Sequence, residues 1–129
     1  MTPQIKKIKR YSIELVESNP DSLFIFGDNL IKKGMKGQAI IRHCVNAFGI
    51  PTKKLPANTS VSFFDDIEYD KNIRYIKSAI DTIPSSYKCI IFPEDGLGTG
   101  LAQLPTKAPK TYAFLINALN ERFGNVYGS

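Results

Sequence analysis

The stretch Ile90-Ile91-Phe92-Pro93-Glu94-Asp95-Gly96-Leu97-Gly98-Thr99-Gly100-Leu101-Ala102-Gln103-Leu104-Pro105 decides the fold. It opens as an uninterrupted apolar run, which reads as a buried strand from Lys88 to Phe92. It breaks into glycines alternating with Leu97, Thr99 and Leu101, then runs into helical sequence from about Lys107 to Phe123. Alternating glycines lose much conformational entropy on folding, so a backbone shape that needs them is implied. Such a shape turns N–H groups inward, and the helix that follows adds the positive end of its dipole.

A second segment repeats this plan nearer the N-terminus: Phe26-Gly27-Asp28-Asn29-Leu30-Ile31-Lys32-Lys33-Gly34-Met35-Lys36-Gly37-Gln38-Ala39-Ile40-Ile41-Arg42. Leu23 to Phe26 reads as a short buried strand, and Gly37 to about Phe48 as a helix ended by Gly49. The spacing is neither a P-loop nor the dinucleotide fingerprint. Both loops follow strands, so an α/β sheet would place them together on the rim where its strands end.

The rest of the chain fits this alternation. Tyr11 to Val16 reads as a first strand, Ile50-Pro51-Thr52 as extended, Lys53 to Thr59 as a loop, and Val61 to Phe64 as a strand. Asp65-Asp66 offers cap carboxylates ahead of an amphipathic helix from Tyr69 to Ile83, which Pro84-Ser85-Ser86 breaks. Gly124 stops the last helix. The predicted architecture is α/β, with a mixed, largely parallel sheet in a single domain, 1–129.

Composition narrows the function classes. The chain has 129 residues, 43% hydrophobic and 22% charged, enough for one core of ordinary solubility. No apolar stretch approaches the roughly 20 residues of a membrane span, and the N-terminus lacks the pattern of a secretory signal, so a cytoplasmic location is expected. Cys44 and Cys89 read as free thiols in a helix and a strand. One histidine, His43, and no Cys/His cluster argue against a zinc site, and no metal or cofactor is expected. The net charge of +5 favours anionic ligands. Lys6, Lys7, Lys9 and Arg10 read as a solvated face rather than the main site; nucleic acid would be their alternative partner.

Together the two glycine segments resemble the macro domain family, which binds ADP-ribose and often hydrolyses ADP-ribose linkages. Asn29, Leu30, Gly34, Gly37 and Ala39 match the family's first loop, and Phe92, Pro93, Gly96, Gly98, Thr99 and Gly100 match its second. Leu104 and Pro105 resemble the entrance to its following helix. The likeness covers roughly Leu23 to Phe48 and Lys88 to Phe123. It departs where F-G-D-N replaces an asparagine-rich strand end and where Met35 and Lys36 interrupt the first glycine cluster. The combination of F-G-D-N, G-x-x-G-Q-A and D-G-x-G-T-G also resembles small phage and bacterial proteins.

The resemblance implies a three-layer macro-like sandwich and a pocket for ADP-ribose or a related nucleotide diphosphate. Its ligand-binding set would be Gly27, Asn29, Gly34, Lys36, Gly37, Gln38, Gly96, Leu97, Gly98, Thr99 and Gly100. Asn29 would fix the distal ribose. Asp95, then Asp28, would serve as the general base of an ADP-ribosyl hydrolase; Glu94 is a further acidic neighbour. The other reading is a non-catalytic protein that sequesters the nucleotide or reads an ADP-ribosylated macromolecule. Phe63, Phe64 and Tyr69 are the aromatic candidates for stacking on a base. Arg42 and His43 read as lying on a helix flank.

Overall fold

A computed structural model describes residues 2–128 of the chain. Its elements run β1 Gln4–Ile8, α1 Ile13–Glu17, β2 Ser22–Asn29, β3 Ala47–Lys53, α2 Tyr69–Asp81, β4 Cys89–Pro93, α3 Leu104–Lys107 and α4 Pro109–Phe123. Short 3₁₀ turns occupy Gly37–Ile41, Ser60–Ser62 and Asp66–Glu68. The fold is α/β: four strands in the order β1-β4-β2-β3, every neighbouring pair parallel. The sheet is therefore wholly parallel, where the sequence suggested a mixed, largely parallel one.

Strand alternation sorts the core into two clusters. Leu23 and Ile25 of β2, with Ile90 and Phe92 of β4, face Ile76 and Ile80 of α2 and Leu115 and Leu119 of α4. Phe24, Phe26, Cys89 and Ile91 face the other way, onto Val16 of α1 and Ile41 of the first 3₁₀ turn. Two long helices thus cover one face, and one short helix with a turn covers the other. The buried positions of α2 (Asn72, Ile76, Ile80) and α4 (Thr111, Leu115, Leu119) recur every four residues, one stripe along each helix.

Several elements differ from the sequence reading, each for a local reason. Tyr11 to Val16 is not a strand. Ser12 Oγ accepts the Leu15 N–H and caps α1, and the edge strand lies earlier, in the lysine-bearing Gln4–Ile8. The helix expected over Gly37 to Phe48 is cut to one 3₁₀ turn and followed by β3. Buried Asn46 reaches the carbonyls of Val16, Asn19 and Ser22 and pins the chain there. Gly49 is not a helix stop. It lies inside β3, and glycine is needed there because a Cβ would come within 2.7 Å of Asp28 Oδ2. Pro51 is tolerated because β3 is an edge. Val61 to Phe64 is not a strand; Phe63 and Phe64 drop into the interior after a 3₁₀ turn.

The paired aspartates cap two different elements. Asp65 accepts the Ile67 N–H at the next 3₁₀ turn. Asp66 reaches across to the start of α4, accepting from Lys110 N at 2.9 Å, Thr111 N at 3.0 Å and Thr111 Oγ1 at 2.9 Å. Burial opposes its charge, but these donors hold its pKa below the usual carboxylate value. Asp66→Ala is expected to cost about 1 to 2 kcal/mol at neutral pH. A depressed pKa gives stability that is present above the unfolded value and lost as pH falls through the folded one. The gap between native and variant in urea melts should therefore close in acid; a gap that persists there would refute the cap.

Candidate functional site

Beyond Leu30, which packs on the α2–α4 side, the loops after β2 and β4 part toward opposite faces of the sheet. The segment after β2 carries Ala39 and Ile41 into one cluster, and the segment after β4 carries Leu97 and Leu104 into the other. Neighbouring parallel strands that part in this way open a crevice at their carboxyl ends. Here it begins early. β2 and β4 pair only through Ser22↔Cys89, Leu23↔Ile90 and Phe24↔Ile91, whereas β1 follows β4 to Pro93 and β3 follows β2 to Asn29.

Two side chains satisfy the backbone groups this split leaves open. The Tyr11 hydroxyl lies 2.7 Å from Ile25 O and 3.1 Å from Ile91 O, at the foot of the split. Burial, with a smaller contribution from Tyr127, pushes its pKa far up and keeps it a donor. Higher up, Gln38 Oε1 accepts from Gly27 N at 2.9 Å while Gln38 Nε2 donates to Gly96 O at 3.0 Å. Gln38 therefore ties the two glycine loops together.

Above these ties lie two adjoining cavities, of about 520 Å³ and 230 Å³. They share Gly27, Lys36, Thr52, Leu101 and Ala102 in their walls. The larger also takes in Lys9, Arg10, Gly37, Asp95, Gly98, Thr99 and Gly100. The smaller takes in Asp28, Asn29, Gly34, Lys53 and Arg42. Among the described residues, the backbone N–H groups from Leu97 through Ala102 and from Gly34 through Gln38 reach no protein acceptor. Gly98 is buried, and a buried amide without a partner is rare in a folded protein.

The structure brings most of the predicted residues to this crevice but gives several a different task. Asp28 is paired with Arg42 at 2.7 Å, both side chains under a tenth exposed, and also accepts the Asn29 N–H. Asn29 is engaged at both ends of its amide by the backbone of Lys33. Thr99 Oγ1 donates to Asp95 O at 2.7 Å and closes the second loop. Leu97 is fully buried and anchors that loop in the core. Lys36, Gly37, Gly98, Gly100 and the exposed Asp95 line the larger cavity, while Gly96 meets it through the Gln38 tie. Glu94 is exposed on the β4 turn, its N–H donating to Ile8 O.

Other residues were missed. Arg42 is not on a helix flank; it donates to Gly34 O and Lys33 O and holds the first loop by its carbonyls. Lys9 and Arg10 stand on the cavity wall, so half of the N-terminal basic cluster belongs to the site, while Lys6 and Lys7 lie exposed on β1. Lys53 is 8% exposed and lines the smaller cavity. Phe63 is buried, with the ammonium groups of Lys53 and Lys107 4.9 Å and 5.0 Å from its ring centroid, Phe64 is core, and Tyr69 lies on the distant α2–α4 groove, so none of the three lines the crevice. His43 lines neither cavity.

Among the described residues, no cluster of three or more histidine, cysteine or acidic side chains is placed to hold a metal, both cysteines are free, and no helix is long and apolar enough to cross a membrane. Residues 6–118 match a family of unknown function, DUF7831, and the chain belongs to it. No curated protein and no solved structure matches the chain.

Proposed function

We propose that this protein binds a nucleotide diphosphate of the ADP-ribose type in the crevice between β2 and β4. The observation that carries the reading is the pair of unpartnered amide runs, one on each glycine loop, at the wall of a cavity flanked by Lys9, Arg10 and Lys36. Converging N–H groups and cations match a diphosphate, whose oxygens only accept. The larger cavity, about 520 Å³, lies within the usual range of small-ligand pockets. The likeness of both loops to the macro domain pattern supports the nucleotide end of the reading.

The side chains favour holding the ligand over turning it over. Of the expected catalytic groups, Asp28 is neutralised by Arg42 and the Asn29 amide is engaged by Lys33. A sequestering protein, or a reader of ADP-ribosylated macromolecules, needs neither. Asp95 keeps the hydrolase reading open, because its carboxylate is exposed at the cavity and forms no ion pair among the described residues.

A thermal-shift series with ADP-ribose, NAD, ATP, pyrophosphate and a short oligonucleotide tests the binding. ADP-ribose is expected to raise the melting temperature most; a ligand at 100 times its Kd adds about 2.7 kcal/mol. A shift by the oligonucleotide alone, falling steeply with salt, would replace the reading with nucleic-acid binding. Native protein incubated with an ADP-ribosylated substrate is expected to release nothing. Release that drops about 100-fold in Asp95→Asn would establish the hydrolase instead.

A further inference from the structure

We propose that the smaller cavity is a second anion subsite, built for a phosphate monoester, with Lys53 as its counter-charge. The proposal rests on the nucleotide reading only for what occupies the neighbouring cavity. Lys33, Lys36, Arg42 and Lys53 line this space, against a single carboxylate, Asp28. Arg42 and Asp28 neutralise one another. That leaves three lysines without an acid among the lining residues, and the ion pairs of the described residues include none of them.

Lys53 is the informative member. A lysine this buried normally has a carboxylate beside it. Lys53 is 8% exposed, and among the described residues its ammonium donates to no acceptor; its neighbour is the ring of Phe63, 4.9 Å away at the centroid. Burial, then Lys36, pulls its pKa below the ordinary lysine value, as expected for a cation that lacks its partner. The backbone places it deliberately. The β2–β3 register shifts between Asp28↔Pro51 and Asn29↔Lys53, and this bulge at Thr52 brings Lys53 opposite Asn29 beside the first glycine loop. A dianion bridging Lys53, Lys36 and Lys33 would supply the missing charge, and the unpartnered amides of Gly34 and Lys36 lie in the same wall.

Inorganic phosphate and acetate, titrated into the intact chain and followed by the NMR signals of the lysine ε-methylenes, test this. Phosphate is expected to move the Lys53 signal saturably and raise its titration midpoint, with acetate much weaker. Lys53→Met should weaken phosphate binding about 10-fold or more, and Lys53→Arg should restore most of it. Because Lys53→Met removes an unpaired buried charge, the variant is expected to fold, and urea melts will show it. Phosphate binding that is equal in native and Lys53→Met protein, or a Lys53 signal indifferent to phosphate, overturns the subsite. Native protein that binds ADP-ribose while failing these tests keeps the nucleotide reading and loses the subsite alone. Native protein that passes them without binding ADP-ribose keeps the subsite and loses the nucleotide reading.

Discussion

Replacing Arg42 by methionine is expected to destabilise the protein by about 3 to 5 kcal/mol, because it strands a buried carboxylate. The Arg42–Asp28 pair is 2.7 Å long, with side chains 9% and 6% exposed. Asp28 cannot turn outward to recover water, since it also accepts the Asn29 N–H at 2.7 Å and packs against Gly49. The guanidinium has further work: Nε donates to Gly34 O and a terminal nitrogen to Lys33 O. Its loss should therefore loosen the first loop as well as unbalance a charge. Adding Asp28→Asn should recover much of the stability, since the double variant buries no ion, but should not restore ligand binding, since the loop carbonyls stay unheld. Urea melts of both singles and the double give the coupling energy directly. A loss under about 1 kcal/mol for Arg42→Met would mean the pair behaves like a surface ion pair and would remove it as the organiser of the loop.

The sequence announced what depends on local pattern and hid what depends on neighbours. β4, α2 and α4 were legible because an apolar run and spacings of three and four are set within the segment itself. Ile50 to Thr52 were read as extended, but the start of β3 was hidden in an expected helix because Ile40, Ile41, Cys44, Val45 and Phe48 imitate a helical stripe. Val45 is in fact almost wholly exposed. The contacts that override the imitation, Asn46 to the carbonyls of Val16 in α1 and Asn19 beyond it and Gly49 against Asp28, join distant positions that no window sees. The site divides the same way. Glycine loops after strands located the crevice, because backbone shape is written in glycine. The roles of side chains were not legible. Asp28 and Asn29 are as good at bracing a loop as at touching a ligand, and only the positions of Arg42 and Lys33 decide between the two. The burial of Lys53 carried no signal, since it comes from a bulge that the sequence does not mark.

The glycines of the second loop are expected to separate fold from function, with Gly98→Val and Gly100→Val at the two extremes. Gly98 has φ +76°, and a Cβ there would meet Leu104 Cβ at 3.0 Å and Thr52 Cβ at 3.1 Å. Valine is both β-branched and confined to negative φ, so strain and overpacking combine. The expected cost is about 2 to 5 kcal/mol, from about 1 to 2 for the left-handed backbone and about 1 to 3 for the clash. Loss of binding in that variant would then report unfolding. Gly100 differs. Its φ is not in the left-handed region and a Cβ there meets nothing within 4 Å, yet its N–H belongs to the unpartnered run at the cavity wall. Gly100→Val should leave stability within about 0.5 kcal/mol of native. A branched side chain beside those amides should still keep phosphate oxygens from closing to hydrogen-bond distance, weakening ADP-ribose by about 10-fold or more, the worth of one or two charge-assisted bonds. Urea melts and calorimetric titration of the two variants form one experiment. If Gly100→Val melts as native and binds as native, the second loop is a turn and not a cradle, and the diphosphate must be sought elsewhere on the rim.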